Sequence, residues 1–136
     1  MITAIDTSVL LDFLNHDPDF GTASRDALRS CAAAGPLLAC EVVWAEIAGC
    51  FSSISDCRHT LRELEIEFSA IQSEAAFEAG VAWRVYRHRG GARTRVAADF
   101  LIGAHALHQA DRLLTRDQGF YRSYFKNLRI VDPSKT

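Results

Sequence analysis

The sequence predicts an α/β domain, a five-stranded parallel sheet with helices on both faces. Three observations carry this. Five short apolar runs, at residues 2–5, 37–39, 66–71, 112–115 and 128–131, alternate with segments of helical period. Each run is too apolar to leave one face in water, as expected of parallel strands covered on both sides. The 136 residues, 49% of them hydrophobic, suffice for one core but not for two. Residues 1–132 are therefore read as a single domain and 133–136 as a short frayed tail.

Along the chain, Asp6-Thr7-Ser8 offers cap residues between the first strand and a helix carrying Val9, Leu10, Phe13 and Leu14. A second helix, 22–34, is stopped by Gly35-Pro36 ahead of the second strand. Residues 41–51 read as a helix, and 56–64 as a charged amphipathic one. After the third strand, Ser73 is placed to cap a long helix that runs to about His88 and ends at Gly90-Gly91. A loop at 93–96 leads to a helix at 98–110, the fourth strand, a short helix at 118–125 and the last strand.

Several function classes are excluded at once. The longest uncharged stretches, 30–40 and 100–110, fall well short of the ~18–20 residues a membrane-spanning helix needs. The first 24 residues hold four aspartates and no Lys or Arg, the wrong pattern for a secretory signal, so a cytoplasmic location is expected. Cys31, Cys40, Cys50 and Cys57 form no C-x-x-C pair and read as reduced, buried small hydrophobes. His105 and His108 read as surface or half-buried residues. No P-loop, dinucleotide fingerprint or Gly-x-Ser-x-Gly elbow is present. Aspartyl-phosphate chemistry fits poorly: Ser8 stands where an Asp-x-Asp motif needs its second acid, and the only lysines are Lys126 and Lys135.

Net charge is -2. Its distribution is uneven, because residues 79–98 contain five arginines (Arg84, Arg87, Arg89, Arg93 and Arg95) and no acid. That is a basic belt on an acidic body, either a solvated face or a phosphate-binding one.

Ligands of open parallel sheets bind beyond the carboxyl ends of the strands, near the reversal of strand order. Asp6 follows the first strand there and Arg116-Asp117 follows the fourth, while Asp99 opens the helix that feeds the fourth. Each has an alternative explanation as a helix cap. Glu46 does not, since its helical neighbours Val42, Val43, Gly49 and Cys50 are apolar or small, and a carboxylate on such a face needs a partner or a cation. Four acids without matching bases suit a hard divalent cation, Mg²⁺ or Mn²⁺, better than zinc. Metal-assisted phosphodiester chemistry is the class that remains. Arg93 and Arg95, in a Gly-flanked loop ahead of Asp99, are candidates for binding phosphates, with Arg116 as a third. The rival is a non-catalytic module whose acids only bind a cation or cap helices.

Four segments carry a resemblance to a known family. Ala4-Ile5-Asp6-Thr7-Ser8-Val9-Leu10, Val42-Val43-Trp44-Ala45-Glu46-Ile47, Ala98-Asp99-Phe100-Leu101-Ile102-Gly103-Ala104-His105-Ala106 and Leu113-Leu114-Thr115-Arg116-Asp117-Gln118-Gly119-Phe120 resemble the four acidic motifs of the PIN domain. More narrowly, the short single domain resembles the VapC toxins of VapBC toxin-antitoxin pairs. The resemblance implies a three-layer α/β/α fold with sheet order 3-2-1-4-5 and Mg²⁺- or Mn²⁺-dependent endoribonuclease activity on RNA. It also implies a homodimer and a small VapB-like antitoxin as partner. By position, Asp6, Glu46, Asp99 and Asp117 would form the catalytic and metal-binding quartet, with Thr7, Ser8 and Thr115 as hydroxyl neighbours on the substrate side.

Overall fold

A computed structural model describes residues 1–91 and 97–135. Within them the strands are β1 (Thr3–Ile5), β2 (Leu37–Ala39), β3 (Ile66–Phe68), β4 (Arg112–Leu114) and β5 (Ile130–Val131). The helices are α1 (Thr7–Leu14), α2 (Gly21–Ala34), α3 (Glu41–Ile47), α4 (Ile54–Glu63), α5 (Ser73–His88), α6 (Ala97–Gln109) and α7 (Gln118–Tyr124). The strands form one parallel sheet in the order β3-β2-β1-β4-β5, as the resemblance implied.

β1 is central and wholly buried, paired with β2 on one side and β4 on the other. Since Ile5 stands opposite Leu114, the residues that follow β1 and β4 emerge side by side, and Asp6 N–H donates to the Leu114 carbonyl at 3.0 Å. Strand order reverses between these two strands, so a crevice opens at their carboxyl ends. α6 enters β4 through a short turn, which carries its first turn, with Asp99, to that same edge. The helix is anchored there by Phe100, fully buried, whose ring meets those of Phe120, Tyr86 and Tyr124 at centroid distances of 5.0, 5.5 and 5.6 Å. At Gly103 a Cβ would stand 2.5 Å from the Phe125 ring, so only glycine lets α6 approach the segment after α7 this closely.

Some boundaries differ from the sequence expectation, each for a local reason. The helix expected over 41–51 stops at Ile47 and tightens into a 3₁₀ turn at Ala48–Cys50, where Gly49 weakens helix formation. α4 begins earlier than 56, because Ser53 Oγ accepts from Asp56 N–H. β3 ends at Phe68 and not at 71, since the next backbone donors leave the sheet: Ile71 N–H reaches the Glu41 carboxylate at 2.9 Å and Gln72 N–H the Gln109 side chain at 2.9 Å. α5 starts at Ser73, but Gln72 is the cap residue, without a side-chain cap bond. Pro133–Lys135, expected to fray, is a 3₁₀ turn with Pro133 buried and Ser134 held by the Asp132 carboxylate. Cys50 is exposed, unlike the other three cysteines, and His105 is buried rather than half-exposed, its Nε2 2.9 Å from Ser69 Oγ. No described helix is long and apolar enough to cross a membrane.

Candidate active site

Asp6 is the centre of the edge. It caps α1 by accepting from Thr7 N–H at 2.8 Å, and its other oxygen accepts from Thr115 Oγ1 at 2.6 Å. Thr115 in turn accepts from Asp117 N–H at 3.0 Å, so one hydroxyl ties the Asp6 carboxylate to the backbone that carries Asp117. Thr7 does the same on the other side: its hydroxyl donates to Glu46 Oε1 at 2.7 Å, across 39 residues of sequence. The partner that Glu46 required is therefore a threonine. The reasoning that led to it needs correction, because Glu46 is exposed and not set in an apolar face; α3 is too short for Gly49 and Cys50 to lie on it.

Asp6 is only 5% exposed, and burial, against two hydrogen bonds that favour its charge, raises its pKa from 3.8 to about 6, with the charges of Asp99 and Glu46 adding to the rise. Tyr121 of α7 shows the fourth acid in the same group. Its phenol is pushed up by burial and then by the charges of Asp6, Asp99 and Asp117. The hydroxyl is drawn toward Asp6 but falls short of a full hydrogen bond, and Ser8 Oγ, one residue into the first helix, is likewise buried without a partner. The four expected acids and Thr7, Ser8 and Thr115 thus come from β1–α1, α3, α6 and β4–α7. Asp117 occupies the cap position of α7 without a side-chain cap bond, so capping does not account for it.

Arg116 goes elsewhere. Its Nε and Nη2 bond the two oxygens of Asp12 at 2.6 and 3.0 Å, and its guanidinium lies 4.2 Å from the centre of the Phe20 ring. Asp12 is also 5% exposed and accepts from the buried Ser24 hydroxyl at 3.0 Å. The expectation that Arg116 faces a substrate phosphate meets this prior engagement. Sequence reading missed Asp12, whose signal was its place among the apolar residues of α1, and Tyr121, which had none beyond lying one turn after Asp117. Arg93 and Arg95 lie outside the described residues.

The donors at the edge are oxygens only, two of them hydroxyls already turned onto carboxylates, and one carboxyl is held in an electrostatically unfavourable place. That chemistry fits a hard divalent cation. Among the described residues, no three His, Cys, Asp or Glu side chains close into a ready coordination cage. An open arrangement of this kind suits an ion that keeps most of its waters.

The PIN domain family model matches residues 3–126. No curated protein matches the chain in sequence. Among solved structures, a chain of VapBC2 from Rickettsia felis bound to a promoter DNA fragment has a TM-score of 0.72 at 20% identity, covering 97% of this chain and 98% of that one. A chain of VapBC-1 from nontypeable Haemophilus influenzae gives 0.72 at 19% identity, with 99% and 100% covered, and one of FitAcB from Neisseria gonorrhoeae 0.68 at 19%, with 100% of both. The chain is similar in fold to these over nearly its whole length. Fold, motif order and the family match agree, and the chain belongs to the PIN domain family.

Proposed function

We propose that the protein is a metal-dependent endoribonuclease and the toxin of a toxin-antitoxin pair. The observation that carries this is Asp6: a buried carboxyl at the reversal of strand order, fixed by Thr7 and Thr115 and surrounded by Glu46, Asp99 and Asp117. Such an arrangement destabilises the empty protein, and a cation would relieve it. Asp6, Glu46, Asp99 and Asp117 would hold Mg²⁺ or Mn²⁺. When bound, the ion supplies Lewis acidity and a water acidic enough to attack a phosphodiester.

The chain's own residues do the rest. Thr115 and Thr7 each hold a carboxylate in one orientation, so the ligands are set before the ion arrives. Ser8 and Thr7 lie on the side from which substrate would approach, and Arg93 and Arg95 would bind phosphates flanking the cut. RNA as substrate, a VapB-like antitoxin, a homodimer and a cytoplasmic location are supported by the family match together with the likeness to VapBC and FitAcB chains. A cleavage assay on total RNA with Mg²⁺, with Mn²⁺ and with EDTA tests the reading. Cleavage that requires the metal supports it; cation binding without cleavage would make the domain a non-catalytic cation-binding module.

A further inference from the structure

Helix α5 lays its buried side, Ala75, Ala79 and Ala82, on the core and turns an unusual face to solvent. Phe77 stands at the centre of that face, 74% exposed, and Trp83 is 37% exposed at its flank. Between them lies Gly80, where an added Cβ would meet nothing within 4 Å. A glycine in the middle of an exposed helix weakens it and is of use where another backbone comes close. Charge along the helix is divided. Glu74 and Glu78 lie before Gly80, and Arg84 and Arg87 after it.

We propose that this face is where a second copy of the chain docks, the two α5 helices crossing antiparallel about a two-fold axis at Gly80. Phe77 precedes Gly80 by three residues and Trp83 follows it by three, so the axis sets Phe77 of each copy against Trp83 of the other. Glu74 and Arg87 are nearly equidistant from Gly80, so the same operation brings the acidic half of each helix to the basic half of the other. Parallel association would instead place like charges together. Two aromatic pairs around a close backbone approach, flanked by opposite charges, make a self-complementary centre for an interface. RNA fits this face less well, because the half that carries Phe77 is acidic. The inference gives a surface to the homodimer proposed above and rests on its existence, not on nuclease activity.

Symmetry makes the test specific. Glu74→Arg alone places like charges at both symmetry-related contacts, and so does Arg87→Glu alone. Each should weaken the dimer roughly tenfold by sedimentation equilibrium. An equimolar mixture of the two variants restores opposite charges at both contacts and should recover a heterodimer near wild-type affinity, which neither misfolding nor a lost RNA contact would produce. Phe77→Ala should weaken the dimer more, roughly a hundredfold. A wild type that stays monomeric at all accessible concentrations overturns both the homodimer and this surface. A dimeric wild type that none of the variants weakens overturns the surface alone. Weakened RNA binding with an unchanged oligomeric state would make the face a nucleic-acid surface and overturn the proposal too.

Discussion

Asp6 and Asp12 lie at the start and toward the end of the same helix, each 5% exposed, yet they are treated in opposite ways. Asp12 is answered in full, with a bidentate guanidinium, a serine hydroxyl and a phenylalanine ring beneath the arginine. Asp6 receives one amide and one hydroxyl and is surrounded by further acids, which leave its pKa near 6. Only the first arrangement is what stability alone favours. The second conserves negative charge at a place where the fold would gain by removing it, and such places mark function more often than architecture.

The largest effect should come from breaking the satisfied pair. Arg116→Ala leaves a buried carboxylate without its counterion, and unfolding in urea should register a loss of about 3 kcal/mol. Arg116 is also flanked by Thr115 and Asp117, so its removal should loosen metal binding, measurable by Mn²⁺ titration. A change confined to the salt dependence of RNA binding, with stability intact, would instead return Arg116 to the phosphate-binding role.

The unsatisfied site makes the opposite prediction. Because the folded pKa of Asp6 lies above its unfolded value, the folded chain keeps a proton that the unfolded chain releases between about pH 4 and pH 6. In EDTA, wild-type stability relative to Asp6→Asn is therefore full below that window and falls as pH rises through it, by ~3 kcal/mol at most over roughly two pH units. Denaturant melts of both proteins from pH 3.5 to 7.5 would show parallel curves if the carboxyl were ordinary.

Metal should reverse the penalty. At one hundred times its dissociation constant, Mg²⁺ should stabilise the wild type by about 2.7 kcal/mol, and Asp99→Asn by much less. In EDTA at neutral pH, Asp99→Asn should be at least as stable as wild type, since it removes a charge that opposes Asp6. A clear drop in its melting temperature would mean that Asp99 serves the helix start instead. The smallest effect belongs to the basic loop: Arg93→Ala with Arg95→Ala should lower the slope of log K against log salt for RNA by about one contact per arginine.

The fold was legible because strand runs such as residues 37–39 and 112–115 are apolar throughout and leave parallel pairing as the sole economical solution. The acids were legible because Asp6 and Asp117 directly follow strands. What remained hidden depends on contacts across the sequence. Thr7 meets Glu46 39 residues away, Thr115 meets Asp6 109 away and Arg116 meets Asp12 104 away, and no local pattern encodes such meetings. Glu46 shows the limit from the other side: the right residue was chosen from a helical wheel that α3 is too short to complete.

The most direct test of the account compares the two aspartates in one reaction. Single-turnover cleavage of RNA at saturating Mg²⁺ is measured for wild type, Asp6→Asn and the double variant Asp12→Asn, Arg116→Gln, which removes both charges of the satisfied pair together. The account predicts that Asp6→Asn folds and loses cleavage by ~10³-fold or more, while the double variant, though less stable, retains a rate within about tenfold of wild type once folded. Wild-type cleavage by Asp6→Asn would contradict it.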